Sequence, residues 1–152
     1  SYYTFFAPIA YGIAACGLDP DTEEELMQEA DAVSRVLGQI FQEQDDYLDC
    51  FGDPSVTGKV GTDIQDGKCS WLLAHALQNL PDEDVEYLMR VVKDGVTDND
   101  SVAAVKKLYE ESGVHDAYSQ RQSNLVKRCH GVASRLKGVA IAILTDMIGR
   151  NS

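Results

Sequence analysis

The chain has 152 residues, of which 44% are apolar and 25% charged. That is room for one compact domain with a real core, and a composition that excludes disorder. A formal charge of −12 excludes general nucleic-acid binding, which needs a basic face. The charge is uneven: residues 1–50 carry eleven acids and one base, whereas residues 120–152 carry six bases and one acid. Such a split is ordinarily a solvated surface, but it also suits a site where acids hold metal ions and bases meet a polyanion. The longest apolar runs, Phe5 to Cys16 and Val139 to Leu144, are too short to span a bilayer. No basic segment precedes the first of them, so no secretory signal is read. Cys16, Cys50, Cys69 and Cys129 form no C-x-x-C pair and read as free thiols in a reducing compartment.

In chain order, Ser1-Tyr-Tyr-Thr-Phe-Phe6 is already apolar and periodic, with neither a methionine nor a cap before it. This reads as the C-terminal portion of a longer protein. Residues 2–16 are expected to form a buried helix that stops at Cys16-Gly17, with Asp19-Pro20-Asp21 as the turn. Asp21 or Thr22 can cap the next helix, and Glu23, Glu24 and Glu25 favour its positive end. Leu26, Ala30, Val33, Leu37, Ile40, Phe41 and Leu48 recur at three and four, predicting one long helix over 22–50. Gly52 to Gly61 is loop, because three glycines and a proline in ten residues leave few helical options. The helical pattern resumes from Asp63, carrying Cys69, Leu72, Leu73, Ala76 and Leu77 on one side. Pro81-Asp-Glu-Asp84 starts a helix ended by Gly95, and Asp98-Asn-Asp-Ser101 caps another that stops near Gly113. Residues 116–148 read as helix interrupted around His130-Gly131. No stretch alternates with period two, so the fold is expected to be all-α.

The chemistry concentrates between Phe41 and Trp71. Asp45 and Asp49 are four apart and share a helix face, with Asp46 about 100° round. Carboxylates this close raise one another's pKa unless a cation compensates. Hard oxygen ligands select Mg²⁺, Mn²⁺ or Ca²⁺, and Mg²⁺ is content with one or two carboxylates plus substrate phosphates. The plainer reading is an acidic helix end exposed to water. Acids there oppose the helix dipole at a cost of a few tenths of a kcal/mol each, which weighs against it beside Tyr47 and Leu48. Lys59, flanked by Gly58 and Gly61 that allow close backbone approach, and Lys68 are candidate contacts to a phosphate or diphosphate. Asp63 can orient a lysine or a metal-bound water. Trp71 and Phe51 read as core rather than substrate contacts. His75, His115 and His130 have no partner at catalytic spacing, and no phosphate-loop or dinucleotide fingerprint is present.

Phe41-Gln-Glu-Gln-Asp-Asp-Tyr-Leu-Asp49, then Phe51-Gly-Asp-Pro54 and Thr57-Gly-Lys-Val-Gly-Thr-Asp-Ile-Gln-Asp-Gly-Lys-Cys-Ser-Trp71, resembles a known pattern. It is that of the second aspartate-rich region of farnesyl-type enzymes in the trans-isoprenyl diphosphate synthase family. The spacing is intact over about thirty residues. Weaker likeness extends to Tyr2-Tyr-Thr-Phe5 and Val105-Lys-Lys-Leu-Tyr-Glu-Glu111. The resemblance implies an all-α helical bundle of the isoprenoid synthase type, of which this chain is the C-terminal portion. It also implies ionisation of an allylic diphosphate, addition of isopentenyl diphosphate to the carbocation, and loss of a proton. Two aspartate-rich motifs on facing helices hold the Mg²⁺ ions that stabilise the departing diphosphate. By position, Asp45 is implied as the direct metal ligand, with Asp46 and Asp49 in support. By the same resemblance Gln42 faces the allylic chain and diphosphate, Lys59 and Lys68 contact the diphosphate, with Asp63 near Lys68, and Tyr3 lies beside the ionising bond. A cytoplasmic, Mg²⁺-dependent homodimer is implied for the full-length protein, with this chain alone inactive.

Three features depart from the pattern. The first aspartate-rich motif, the basic isopentenyl diphosphate site and the aromatics that set chain length lie upstream in the family and are not in this sequence. The Lys-Thr pair expected just before Ser1 is missing too. The basic tail is replaced by Gly149-Arg-Asn-Ser152. Two alternatives remain: a terpene synthase, a lyase on the same scaffold, and a non-catalytic paralogue acting as a regulatory subunit. A second Asp-Asp-x-x-Asp upstream would separate the last from the enzymes.

Overall fold

The computed structural model describes residues 2–58 and 60–149, which are mostly helical, with no strand among them. A π-helical turn, Tyr2–Phe6, leads into α1, Ala7–Ala15. Then come α2, Pro20–Phe51; α3, Pro54–Thr57; α4, Trp71–Asn79; and α5, Asp82–Asp94. The last three are α6, Asn99–Glu111; α7, Val114–Val132; and α8, Lys137–Gly149. The chain divides into two compact units, residues 1–42 with 121–152 and residues 43–120, and the divisions fall inside α2 and α7. Among the described residues no helix is long and apolar enough to cross a membrane.

The first unit is built on the apolar stripe of α2. Val33, Val36, Leu37 and Ile40 are buried against Leu125, Cys129, Ala140 and Leu144, each large side chain contributing roughly 1.5–3 kcal/mol. α2 begins earlier than its sequence predicts: Pro20 occupies the first turn, where its missing N–H costs nothing. Asp19, rather than Asp21 or Thr22, takes the cap by accepting the Thr22 N–H at 3.0 Å. The first helix forms as expected but is not buried. Of its described residues only Phe5 and Ile13 are enclosed, while Tyr2, Tyr3 and Tyr11 are exposed. A run of apolar residues on every side does not declare which side is covered.

The break between α7 and α8 falls at residues 133–136, not at His130-Gly131, which remain helical. The cause is remote in sequence. The Glu29 carboxylate on α2 accepts the N–H groups of Ser134, Arg135 (3.2 Å) and Leu136 (2.9 Å), capping α8 from outside. A glycine can stay in a helix; three amides claimed by a carboxylate cannot.

The second unit buries Ile64, Leu72, Leu73, Leu88, Val91, Val105 and Val114 around Cys50 and Tyr109. α5 and α6 start where their acids and caps predict, and the Asp98 carboxylate accepts the Ser101 N–H at 2.7 Å. The expectation that helix resumes at Asp63 is corrected. Residues 63–67 form a turn, and α4 begins at Trp71 under a Ser70 cap whose Oγ accepts the Leu73 N–H. All four cysteines are free thiols, with Cys50 and Cys129 buried and Cys16 and Cys69 exposed.

Candidate functional site

The last turns of α2 carry Asp45, Asp46 and Asp49, and the segment leading to α4 folds back onto them. Asp46 is 5% exposed. A carboxylate at the negative end of a helix and out of water needs a cation. Lys68 supplies it, with Nζ 3.0 Å from Asp46 Oδ1 and 2.6 Å from Asp63 Oδ2. Desolvation acts to lower the Lys68 pKa, but the hydrogen bonds and charges of Asp63 and Asp46 outweigh it and hold it above its ordinary value. The ammonium is therefore a permanent cation rather than a proton acceptor.

The segment between α2 and α4 is shaped to deliver that lysine. Asp53 caps α3 by accepting the Ser55 N–H at 2.8 Å. The turn is closed by Asp66 N–H to the Thr62 carbonyl and Lys68 N–H to the Asp63 carbonyl, both at 2.9 Å. Gly67, at φ +60°, lets the chain reverse there; a Cβ would sit 2.6 Å from the Val92 carbonyl oxygen. At its entry the segment is tied to α2: the Asp63 N–H donates to Asp49 Oδ2 at 2.8 Å. Gly61 packs directly on the same residue, where a Cβ would fall 1.7 Å from the Asp49 carbonyl oxygen. This glycine makes room for α2 itself, a use that its position in the sequence does not disclose.

An aromatic layer backs the acidic turn. Tyr47 stacks on Tyr118 with centroids 3.9 Å apart and planes 5° apart, and Trp71 stacks on Tyr118 at 5.9 Å. Trp71 Nε1 donates to the Glu43 carbonyl at 3.0 Å. Tyr47 Oη is hydrogen-bonded to His115 Nδ1 at 2.8 Å, and His75 Nε2 donates to the Ser112 carbonyl at 3.0 Å. These partners lie 68 and 37 residues apart in sequence, so no spacing rule pairs them. Trp71 and Phe51 pack against the second core, as expected of them. Burial pushes the Cys50 thiol up to about 12, so it is a neutral packing group.

Asp45, Asp46, Asp49, Asp63 and Lys68 all lie in the second unit. Gln42 and Tyr3 belong to the first, where Gln42 is exposed on α2 and Tyr3 is exposed with its ring edge-on to Tyr2, 5.2 Å between centroids. Lys59 lies outside the described residues. Among the described residues no three His, Cys, Asp or Glu side chains converge into a ready-made metal cage. The donors that Asp45, Asp46 and Asp49 bring to the end of α2 are carboxylate oxygens. Their chemistry fits a hard divalent ion that takes few protein ligands.

Known proteins resemble this chain over most of its length. The pattern of the polyprenyl synthetase family matches residues 1–112. Farnesyl pyrophosphate synthase of Gallus gallus is 43% identical over 128 residues, covering 84% of this chain and 34% of that protein. The enzyme of the same name from Schizosaccharomyces pombe is 35% identical over 156 residues, covering 99% of this chain and 43% of that protein. A solved structure of T. brucei farnesyl pyrophosphate synthase superposes with a TM-score of 0.79 at 30% identity, covering 98% of this chain and 46% of that one. The chain thus spans less than half the length of these relatives. With the match running through the acidic turn and the lysine loop, this chain belongs to the polyprenyl synthetase family.

Proposed function

We propose that this chain is the C-terminal part of a single all-helical prenyltransferase domain. The full enzyme condenses an allylic diphosphate, dimethylallyl or geranyl, with isopentenyl diphosphate to give farnesyl diphosphate. The observation that carries the reading is the cluster at the end of α2, where Lys68 bridges Asp46 and Asp63 beside Asp45 and Asp49. Asp45 would hold Mg²⁺, or Mn²⁺ in its place, with Asp46 and Asp49 in support. Such an ion would supply positive charge that stabilises a departing diphosphate.

The side chains of this chain have simpler tasks. An ammonium offers three N–H donors, and Asp46 and Asp63 take two from Lys68. The third suits a diphosphate oxygen, and the two carboxylates keep the donor aimed and charged. By the family resemblance Lys59 contacts the same group. Gln42 faces the allylic chain, and Tyr3 lies beside the bond that ionises. A homodimer in the cytoplasm completes the reading, on the strength of the family resemblance.

The test is Asp45→Ala in the full-length protein. The expected result is a fall in kcat of about 10²–10³-fold or more, with circular dichroism and thermal midpoint unchanged. Ordinary turnover by that variant refutes the assigned role.

A further inference from the structure

Asp49 and Gly61 form a contact that the metal reading does not use. Asp49 Oδ2 accepts the Asp63 N–H at 2.8 Å, and Gly61 lies so close that its missing Cβ would be 1.7 Å from the Asp49 carbonyl oxygen and 2.6 Å from Oδ2. The next residues build the turn that returns Lys68 to Asp46 and Asp63. We propose that the support Asp49 gives the metal site is positional: it latches the 60–70 segment to α2, with Gly61 as the socket of the latch.

Order along the segment is what the latch supplies. Asp63 must lie within reach of Lys68 while Lys68 reaches Asp46; Ile64 in the core and Gly67 against Val92 hold the turn downstream, and the latch fixes its entry. One charge-assisted bond to the backbone N–H of Asp63 fixes that entry at the residue whose side chain pairs with Lys68. The bond uses the backbone of residue 63, so any side chain that accepts a hydrogen bond at position 49 can make it. A Mg²⁺ ligand, by contrast, is much weakened when its carboxylate becomes a neutral amide. Asn and Asp at position 49 therefore separate the two roles. The inference deepens the prenyltransferase reading and rests on it only for the catalytic arm of its test.

The experiment measures amide exchange by mass spectrometry over residues 60–70 of the metal-free, full-length protein, together with the Mg²⁺ concentration for half-maximal turnover. Asp49→Ala removes the acceptor and speeds exchange at the Asp63 amide by about 10–100-fold. Gly61→Ala forces the segment off α2 and speeds exchange to a similar extent with the carboxylate intact. Asp49→Asn, whose side-chain oxygen still accepts the N–H without the charge, retains more protection than Asp49→Ala and raises half-maximal Mg²⁺ less. The proposal is overturned if Asp49→Ala leaves exchange unchanged. It is equally overturned if Asp49→Asn keeps protection yet raises the Mg²⁺ requirement as far as Asp49→Ala does. The exchange arm uses neither metal nor substrate, so its outcome stands even where the prenyltransferase reading fails.

Discussion

A carboxylate that accepts three backbone N–H groups ties the ends of the first unit together. Glu29 reaches Ser134, Arg135 and Leu136 from α2. Desolvation acts to raise its pKa, but those amides and the charge of Arg135 outweigh it and hold the carboxyl below its ordinary value of 4.5. A depressed acid stabilises the fold above its unfolded pKa and loses that contribution as pH falls through the folded one. Glu29→Gln is therefore expected to cost about 1–2 kcal/mol at neutral pH, or roughly 2–8 °C in thermal midpoint. The gap should narrow as pH falls below 4.5 and close once it has passed through the lower value of the folded parent. A variant that melts with the parent at pH 7 would remove Glu29 from this role.

At the scale of elements, starts marked by local chemistry are legible in the sequence and starts set from afar are not. Pro81 with its acids and Asp98 with Ser101 announce α5 and α6 because each signal lies within one turn of what it satisfies. Asp63 looks equally like a start. Its N–H, however, is claimed by Asp49 fourteen residues upstream and its carboxylate by Lys68, so the segment turns and waits for Ser70. The end of α7 escapes a local reading for the same reason, since its determinant is Glu29. The candidate site shows the same limit: its acids and lysines can be read as residues, but the Asp46–Lys68 pairing and the Tyr47–His115 bond depend on the fold. The turn itself offers a test. Gly67→Ala must hold φ near +60° and push against the Val92 carbonyl, which is expected to destabilise the protein by roughly 1–3 kcal/mol. A shift in urea midpoint corresponding to under about 0.5 kcal/mol would mean that the reversal is not pinned there.

At the scale of the whole molecule, the charge split now has a location on the helices. Apart from Asp19, the acids of residues 1–50 run along α2 to its end, and the bases of residues 120–152 fall on α7, α8, the break between them and the tail. The sequence holds a single Asp-Asp-x-x-Asp, at residues 45–49, whereas the reaction proposed needs a facing pair. The 152-residue chain by itself is thus expected to show no turnover of dimethylallyl and isopentenyl diphosphates, and activity at the rate of the full-length enzyme would contradict this. Trp71 is the only tryptophan in the chain, and it stacks on Tyr118 while its indole N–H holds the Glu43 carbonyl at the start of the acidic turns. Its fluorescence is a built-in optical signal from that helix end, readable without a label whenever ions, ligands or substitutions disturb it.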